Sequence, residues 1–161
     1  MTNYTIYLAA PLFNHRERSF NEHLAQLLAP FADVYLPQRD GSLLTEMVAA
    51  GVPVPVAERR VFRQDCDALL RSDALVAVLD GAHIDEGVAF EIGFANAIGC
   101  LCVGLQTDNR RALPTGNNPM IQSALQRVFS DETALTDFIS QRSEAGGRNA
   151  PFIFRVSSHD P

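Results

Sequence analysis

Four acids fall within one dozen residues, Asp80-Gly-Ala-His-Ile-Asp85-Glu86-Gly-Val-Ala-Phe-Glu91, where an apolar β-prone run, Ala74 to Leu79, gives way to an apolar stretch rich in Ala and Gly, Val88 to Ile98. An ionisable group in such surroundings is costly unless it is paired. Glu91 lies one turn inside the expected helix, between Phe90 and Ile92-Gly-Phe94, and a helix this apolar is expected to be largely buried. Helix starts at the carboxyl ends of parallel strands are where open α/β sheets hold their ligands, so this junction is read as the active site. The positive end of the helix would keep Glu91 ionised and nucleophilic, while a nearby carboxyl holds a proton. Asp85, Asp65 and Asp73 are the acids in reach along the chain. Two carboxyls in that relation suit displacement at an anomeric carbon through an oxocarbenium-like transition state, one attacking and one protonating the leaving group. Spacing alone does not assign the roles, and Asp85 or Glu86 reads equally well as a helix cap. The residues by themselves give carboxylate chemistry on a small ligand, without a metal.

These side chains need a frame. Thr5 to Ala10 reads as a first strand, His15 to Ala29 as a helix ended by Pro30, and Val34 to Leu36 as a short second strand. Pro37 to Gly41 carries turn residues. A helical pattern runs from Leu43 to Ala50, and the two prolines of Gly51-Val-Pro-Val-Pro55 argue against a regular helix there. Glu58 to Arg71 reads as a helix with Val61, Cys66, Leu69 and Leu70 inward, followed by the strand and helix of the acidic junction. Gly87 and Gly93 are expected to let that helix pack closely on the sheet. Cys100 to Leu105 is a fourth strand, 107 to 118 a polar loop, Met120 to Leu125 a short helix, Val128-Phe129 a fifth strand and Glu132 to Arg142 a last helix. Such alternation implies right-handed crossovers and a doubly wound parallel sheet of five strands, order 2-1-3-4-5, with helices on both faces, forming a single domain over residues 1–161. That order gathers Tyr7, the Ala9 to Asn14 loop, Gln38 to Gly41 and the Asp80 to Glu91 junction on one rim.

Several classes of function are disfavoured. A formal charge of −6 and a pI near 5.1 speak against binding nucleic acid. No apolar run approaches the length of a membrane span, and the chain is expected to be cytoplasmic. Cys66, Cys100 and Cys102 form no CxxC pair and are read as reduced core residues. Ala9-Ala-Pro-Leu-Phe13 replaces the glycine fingerprint of dinucleotide sites, and neither a phosphate-binding Walker loop nor a G-x-S-x-G elbow occurs.

Taken in order, Tyr7-Leu-Ala-Ala-Pro-Leu-Phe13, Tyr35-Leu-Pro-Gln-Arg-Asp-Gly41, Asp65 with Ser72-Asp73, Asp85-x-Gly87-x-x-x-Glu91-x-Gly93-x-Ala95 and Asn118-Pro-Met120 resemble the nucleoside 2-deoxyribosyltransferases over roughly Thr5 to Leu125. The resemblance implies a flavodoxin-like fold and transfer of 2-deoxyribose between nucleobases without a cofactor. It makes Glu91 the nucleophile that attacks C1′ and forms a deoxyribosyl-enzyme. It has Asp85 bind the sugar hydroxyls, Asp65 contact and help protonate the base, and Tyr7 position Glu91. Phe13 and Gly87 fall in matched motifs and are substrate-binding candidates. Gln38 and Asp40 are candidate base contacts or simply shape their turn. Asn118 and Met120 match residues that the family donates from a neighbouring subunit, so a homo-oligomer is implied; without the resemblance Met120 reads equally as core and Asn118 as a turn residue. The ending Ser157-Ser-His-Asp-Pro161 departs from family members that place a terminal tyrosine in the site.

Two rival readings remain at this stage. In an N-glycosidase of the same superfamily water would resolve the intermediate, although the Ala9 to Asn14 loop offers no evident phosphate cradle and favours free nucleosides over nucleotides. A non-catalytic nucleoside-binding module would keep the pocket without needing Glu91 ionised.

Overall fold

The computed structural model describes residues 4–108, 110 and 116–146. The carboxyl-terminal Ser157 to Pro161 and part of the polar loop 107–118 therefore lie outside the described residues. Five strands, β1 (Thr5–Ala9), β2 (Asp33–Tyr35), β3 (Ala74–Val78), β4 (Leu101–Leu105) and β5 (Arg127–Phe129), form one sheet in the order β2-β1-β3-β4-β5. Every pairing is parallel. The helices between them are α1 (His15–Leu28), α2 (Pro37–Asp40), α3 (Leu44–Ala49), α4 (Val54–Arg71), α5 (Glu86–Ala97), α6 (Pro119–Ala124) and α7 (Glu132–Glu144).

Side chains alternate across a strand, and here the alternation separates two cores. Ile6, Leu8, Ala74, Val76, Val78, Val103 and Leu105 point to one face, where Leu24 and Leu28 of α1 and Leu135 and Ile139 of α7 close over them. Tyr7, Ala9, Leu75, Ala77 and Cys102 point to the other, under Ala68 and Leu69 of α4 and Val88, Ile92 and Ala95 of α5. Tyr7 is thus placed on the α4/α5 face by strand period alone. At the amino end of the sheet the Thr5 backbone N–H and Oγ1 both donate to Asp73 Oδ2 at 2.9 Å. Asp73 is therefore a clamp between β1 and β3, at the opposite end from the acidic junction.

Four expectations from sequence are corrected. Pro53 and Pro55 do not block a helix: Pro53 is the N-cap of α4 and Pro55 lies in its first turn, where a missing N–H costs nothing. The Pro37 to Gly41 turn winds into the single turn of α2, with Pro37 leading it. Leu70 is exposed rather than inward. The fourth correction concerns α5, whose sequence is largely apolar yet whose outer stripe of Phe90, Gly93 and Ala97 is exposed. A Cβ placed on Gly93 would meet nothing within 4 Å, so this glycine does not serve packing on the sheet. Among the described residues no helix is long and apolar enough to cross a membrane.

Candidate active site

Tyr7 is fully buried, and its Oη donates to Glu91 Oε1 at 2.5 Å. This contact joins β1 to the second turn of α5. Burial pushes the Glu91 carboxyl up to about 8; the bond from Tyr7 opposes that shift, and the negative charges of Asp65 and Asp85 add to it. Burial likewise raises the Tyr7 phenol, with Glu91 and Asp65 contributing. Burial thus works against the expectation that the helix end keeps Glu91 ionised. Desolvation wins, and the amide donors at the start of α5 are occupied by Asp85, whose Oδ1 accepts from Gly87 N at 2.9 Å and Val88 N at 3.1 Å.

Asp65, on α4, is the second acid. Burial raises its carboxyl, and a hydrogen bond from Tyr35 Oη to Oδ1 at 3.3 Å pulls it down. The negative charge of Asp65 adds to the rise at Glu91, so the two acids are electrostatically linked. Such a pair retains a proton that an isolated surface acid would have lost, which is what transfer to a departing group requires. Asp65 and Glu91 share a cavity of about 320 Å³ between α3, α4 and α5, walled by Leu44, Val61, Phe62 and Phe90 and rimmed by Glu58. The Phe62 and Phe90 rings approach to 6.0 Å, and Phe90 stacks on Phe94 at 6.2 Å. A larger cavity, about 630 Å³, opens at the amino end of the strands near Asp73 and Arg142, where no such acid pair stands. Chemistry, not size, selects the α4/α5 pocket.

The remaining candidates are distributed as follows. Asp85 caps α5, and a Cβ on Gly87 would come within 3.0 Å of its Oδ1, so glycine there leaves room for the cap. Asp80 holds the preceding loop: its Oδ1 accepts from Thr107 N at 2.6 Å and Asp108 N at 2.9 Å, tying the end of β3 to the end of β4. Gln38 accepts from Asn21 Nδ2 at 2.9 Å and donates to Arg18 O and Glu22 Oε1. Asp40 accepts from Leu36 N at 2.8 Å and pairs with Arg39. Both are engaged within their own corner of the fold. Phe13 is 74% exposed beside the α1 capping box of Asn14 and Glu17. Asn118 caps α6 by accepting from Met120 N at 2.9 Å, and Met120, far from being core, is 80% exposed. Asn96 Nδ2 donates to Ala124 O, fastening α6 to α5. Sequence reasoning assigned no role to Tyr35, Phe62 or Phe90. Tyr35 had a usable signal, since a parallel register that pairs β1 with β2 sets it beside Tyr7; the two phenylalanines read only as helix apolar positions.

The comparison with known proteins now bears on this site. A family profile described as Nucleoside 2-deoxyribosyltransferase matches residues 6–144. The chain belongs to that family. Among solved structures it is similar to a conserved protein from Enterococcus faecalis V583, with a TM-score of 0.68, 29% identity, and coverage of 88% of this chain and 99% of that one. The 2-deoxyribosyltransferase of the psychrotolerant Bacillus psychrosaccharolyticus superposes with a TM-score of 0.67 at 19% identity, over 92% of this chain and 99% of that one. The 2-deoxyribosyltransferase of Leishmania mexicana gives 0.59 at 22% identity, over 84% and 97%. At these identities the two transferases show the fold, which is the flavodoxin-like sheet described above. No curated protein matches significantly.

Proposed function

We propose that this family member transfers 2-deoxyribose between nucleobases by double displacement, with Glu91 as nucleophile. The observation that carries the reading is the Tyr7–Glu91 contact, which holds a desolvated carboxyl against the sheet and aims it into a pocket that contains a second acid. The reacting form carries the proton on Asp65 and leaves Glu91 ionised, a minor form below about pH 8; in the first half-reaction a Glu91 carboxylate oxygen bonds to C1′ of a deoxynucleoside as the C1′–N bond breaks. The electron pair leaves with the base nitrogen, which takes its proton from Asp65. In the second half a nitrogen of an incoming base bonds to C1′, Glu91 leaves, and the proton returns to Asp65. Two inversions retain the β configuration. Asp85, whose Oδ2 takes no part in the cap, is the candidate for the sugar hydroxyls. No cofactor enters this scheme.

The exposed stripe of Phe90, Gly93 and Ala97, with Phe62 beside it, is a continuous apolar patch of the kind that marks a protein interface. We infer a homo-oligomer in which this surface meets a second copy and Asn118 and Met120 complete the neighbouring sugar site. Phe62 and Phe90, which wall the pocket, suit a base ring, and Phe13 on the loop after β1 is a further candidate substrate contact.

Incubation with deoxyinosine, with and without adenine, tests the reaction, with products followed by chromatography and the protein by intact mass. Deoxyadenosine formed only with adenine, plus a deoxyribosyl adduct absent from Glu91→Gln, is the expected result. Hypoxanthine released equally either way would make the protein a hydrolase. Binding without turnover that survives Glu91→Gln would make it a sensor.

A further inference from the structure

The two acids of the pocket are not held alike. Glu91 is gripped by a phenol that is wholly buried, whereas Asp65 meets a phenol from the adjacent, edge strand. Tyr7 and Tyr35 are register partners across β1 and β2, and their rings stack with centroids 5.4 Å apart and planes 23° apart. Stacked in this way the two hydroxyls diverge to different helices, Tyr7 to Glu91 on α5 and Tyr35 to Asp65 on α4. Each acid receives one phenol from one strand.

We propose that Tyr35 is a positioning residue that orients Asp65 for proton exchange with the nucleobase, and that the corner between β2 and α2 is built to fix its phenol. This rests on the transferase reading of the Glu91 site. The corner is tied on every side of Tyr35. Arg39 Nη2 donates to Val34 O at 2.7 Å, Leu36 N donates to Asp40 Oδ2 at 2.8 Å, and Gly41 N donates to Pro37 O at 2.9 Å. Gln38 fastens the same turn to α1 through Asn21. A Cβ on Gly41 would lie 2.5 Å from Pro37 O and 3.3 Å from Tyr35 Oη, so any larger residue would press on the hydroxyl itself. Gln38 and Asp40 thereby acquire a role without touching the base: they hold the turn that holds Tyr35. At 3.3 Å the Tyr35–Asp65 bond is longer than the usual range, as catalytic contacts often are before substrate tightens them.

The bond pulls against burial at Asp65, so loss of the hydroxyl should move that carboxyl further up. The other groups that act on this pair are Tyr7 from β1, Asp40 from α2, Cys66 and Arg71 from α4, and Glu91 from α5. Tyr35→Phe keeps the ring on Tyr7 and removes only the oxygen; Tyr35→Leu removes the stack as well. Carboxyl ¹³C titration of the intact protein follows Asp65 directly, and the pH profile of kcat with a deoxynucleoside follows its use. The expected result for Tyr35→Phe is an Asp65 midpoint moved to higher pH, the matching limb of the profile moved the same way, and kcat lowered roughly tenfold with little change in KM. Tyr35→Leu should lose more and also melt earlier. An Asp65 midpoint and kcat unchanged in a well-folded Tyr35→Phe protein would overturn the proposal. A shifted midpoint in a protein whose unsubstituted form turns over no deoxynucleoside would instead overturn the transferase reading while leaving the Tyr35–Asp65 link in place.

Discussion

On the α1/α7 side of the sheet, apolar side chains are closed off beneath two helices whose outer surfaces are polar, and His23 of α1 meets Glu132 of α7 at 2.9 Å. On the α4/α5 side, strands of the same composition lie under helices that leave Phe62, Phe90, Gly93 and Ala97 uncovered and that carry two acids into the interior. The first face is finished within one chain. The second holds an unfavourable charge site and an apolar exterior, neither of which a chain optimised for stability alone would keep. The difference separates what holds this protein together from what it does, and substitutions can test the separation from each side.

The largest effect should come from Glu91→Gln, which removes the nucleophile and should lower turnover roughly a thousandfold or more. Its effect on stability should have the opposite sign. An unfolded glutamate titrates near 4.5 and Glu91 at about 8. Between those values the unfolded chain has released its proton and the folded chain has kept it, so the contribution of this group to stability falls as pH rises and is fully lost above the folded value. At about 1.4 kcal/mol per unit the loss amounts to a few kcal/mol. Denaturant titration at about pH 4 and about pH 9 should show Glu91→Gln gaining on the unsubstituted protein only at the higher pH. A gain of equal size at both would mean that burial of the acid is not what strains this face.

Leu24→Ala applies the same logic to the finished face. Leu24 of α1 is fully buried against the sheet, and its truncation should cost about 2–5 kcal/mol. Activity per folded molecule should not change. If turnover fell with stability held by lower temperature, the two faces would be coupled through the sheet and the separation would fail.

These contrasts were only partly legible in the sequence. Strand period placed Tyr7, and the run of acids at the end of β3 marked the junction, because both signals are local. The resemblance of the motifs to a family named Glu91 and Asp65 together. The protonation state of Glu91 was not legible, since it depends on how completely Tyr7, Asp65 and the surrounding helices desolvate one carboxyl. Nor was the exposure of α5: an apolar sequence such as Val88 to Ala97 states that the helix will be covered, but not whether its own chain or another does the covering. Pro53 and Pro55 misled for a simpler reason, as proline forbids helix interiors and favours helix starts, and the period before Glu58 is too short to tell one from the other.

Gly93→Leu asks what covers α5. The new side chain meets open space in the protomer, and leucine exceeds glycine in helix propensity by up to about 1 kcal/mol, so the isolated chain should be as stable or slightly more so. If this stripe is the interface of the proposed homo-oligomer, sedimentation should nevertheless show the assembly dissociating, with activity lost on dilution at concentrations where the unsubstituted protein remains active. An unchanged assembly with full activity would remove the α5 stripe from the interface and leave its apolar surface without a partner.

The smallest effect is expected at His23→Ala. The His23 and Glu132 side chains are 54% and 30% exposed, and pairs in that setting contribute about 0–1 kcal/mol, screened further by salt. A double-mutant cycle with Glu132→Ala should therefore return a coupling below about 1 kcal/mol that shrinks in high salt. The value matters because the charged exterior of α1 and α7 could be read as an adhesive between the helices. If the coupling is small, that exterior serves to keep the face in water while Leu24, Leu28, Leu135 and Ile139 supply the cohesion, and the contrast with α5 is one of a polar exterior against an apolar one. A coupling of several kcal/mol would instead make the His23–Glu132 contact part of the α1/α7 lock, and the two faces would then differ in how each is fastened as well as in what each is left free to do.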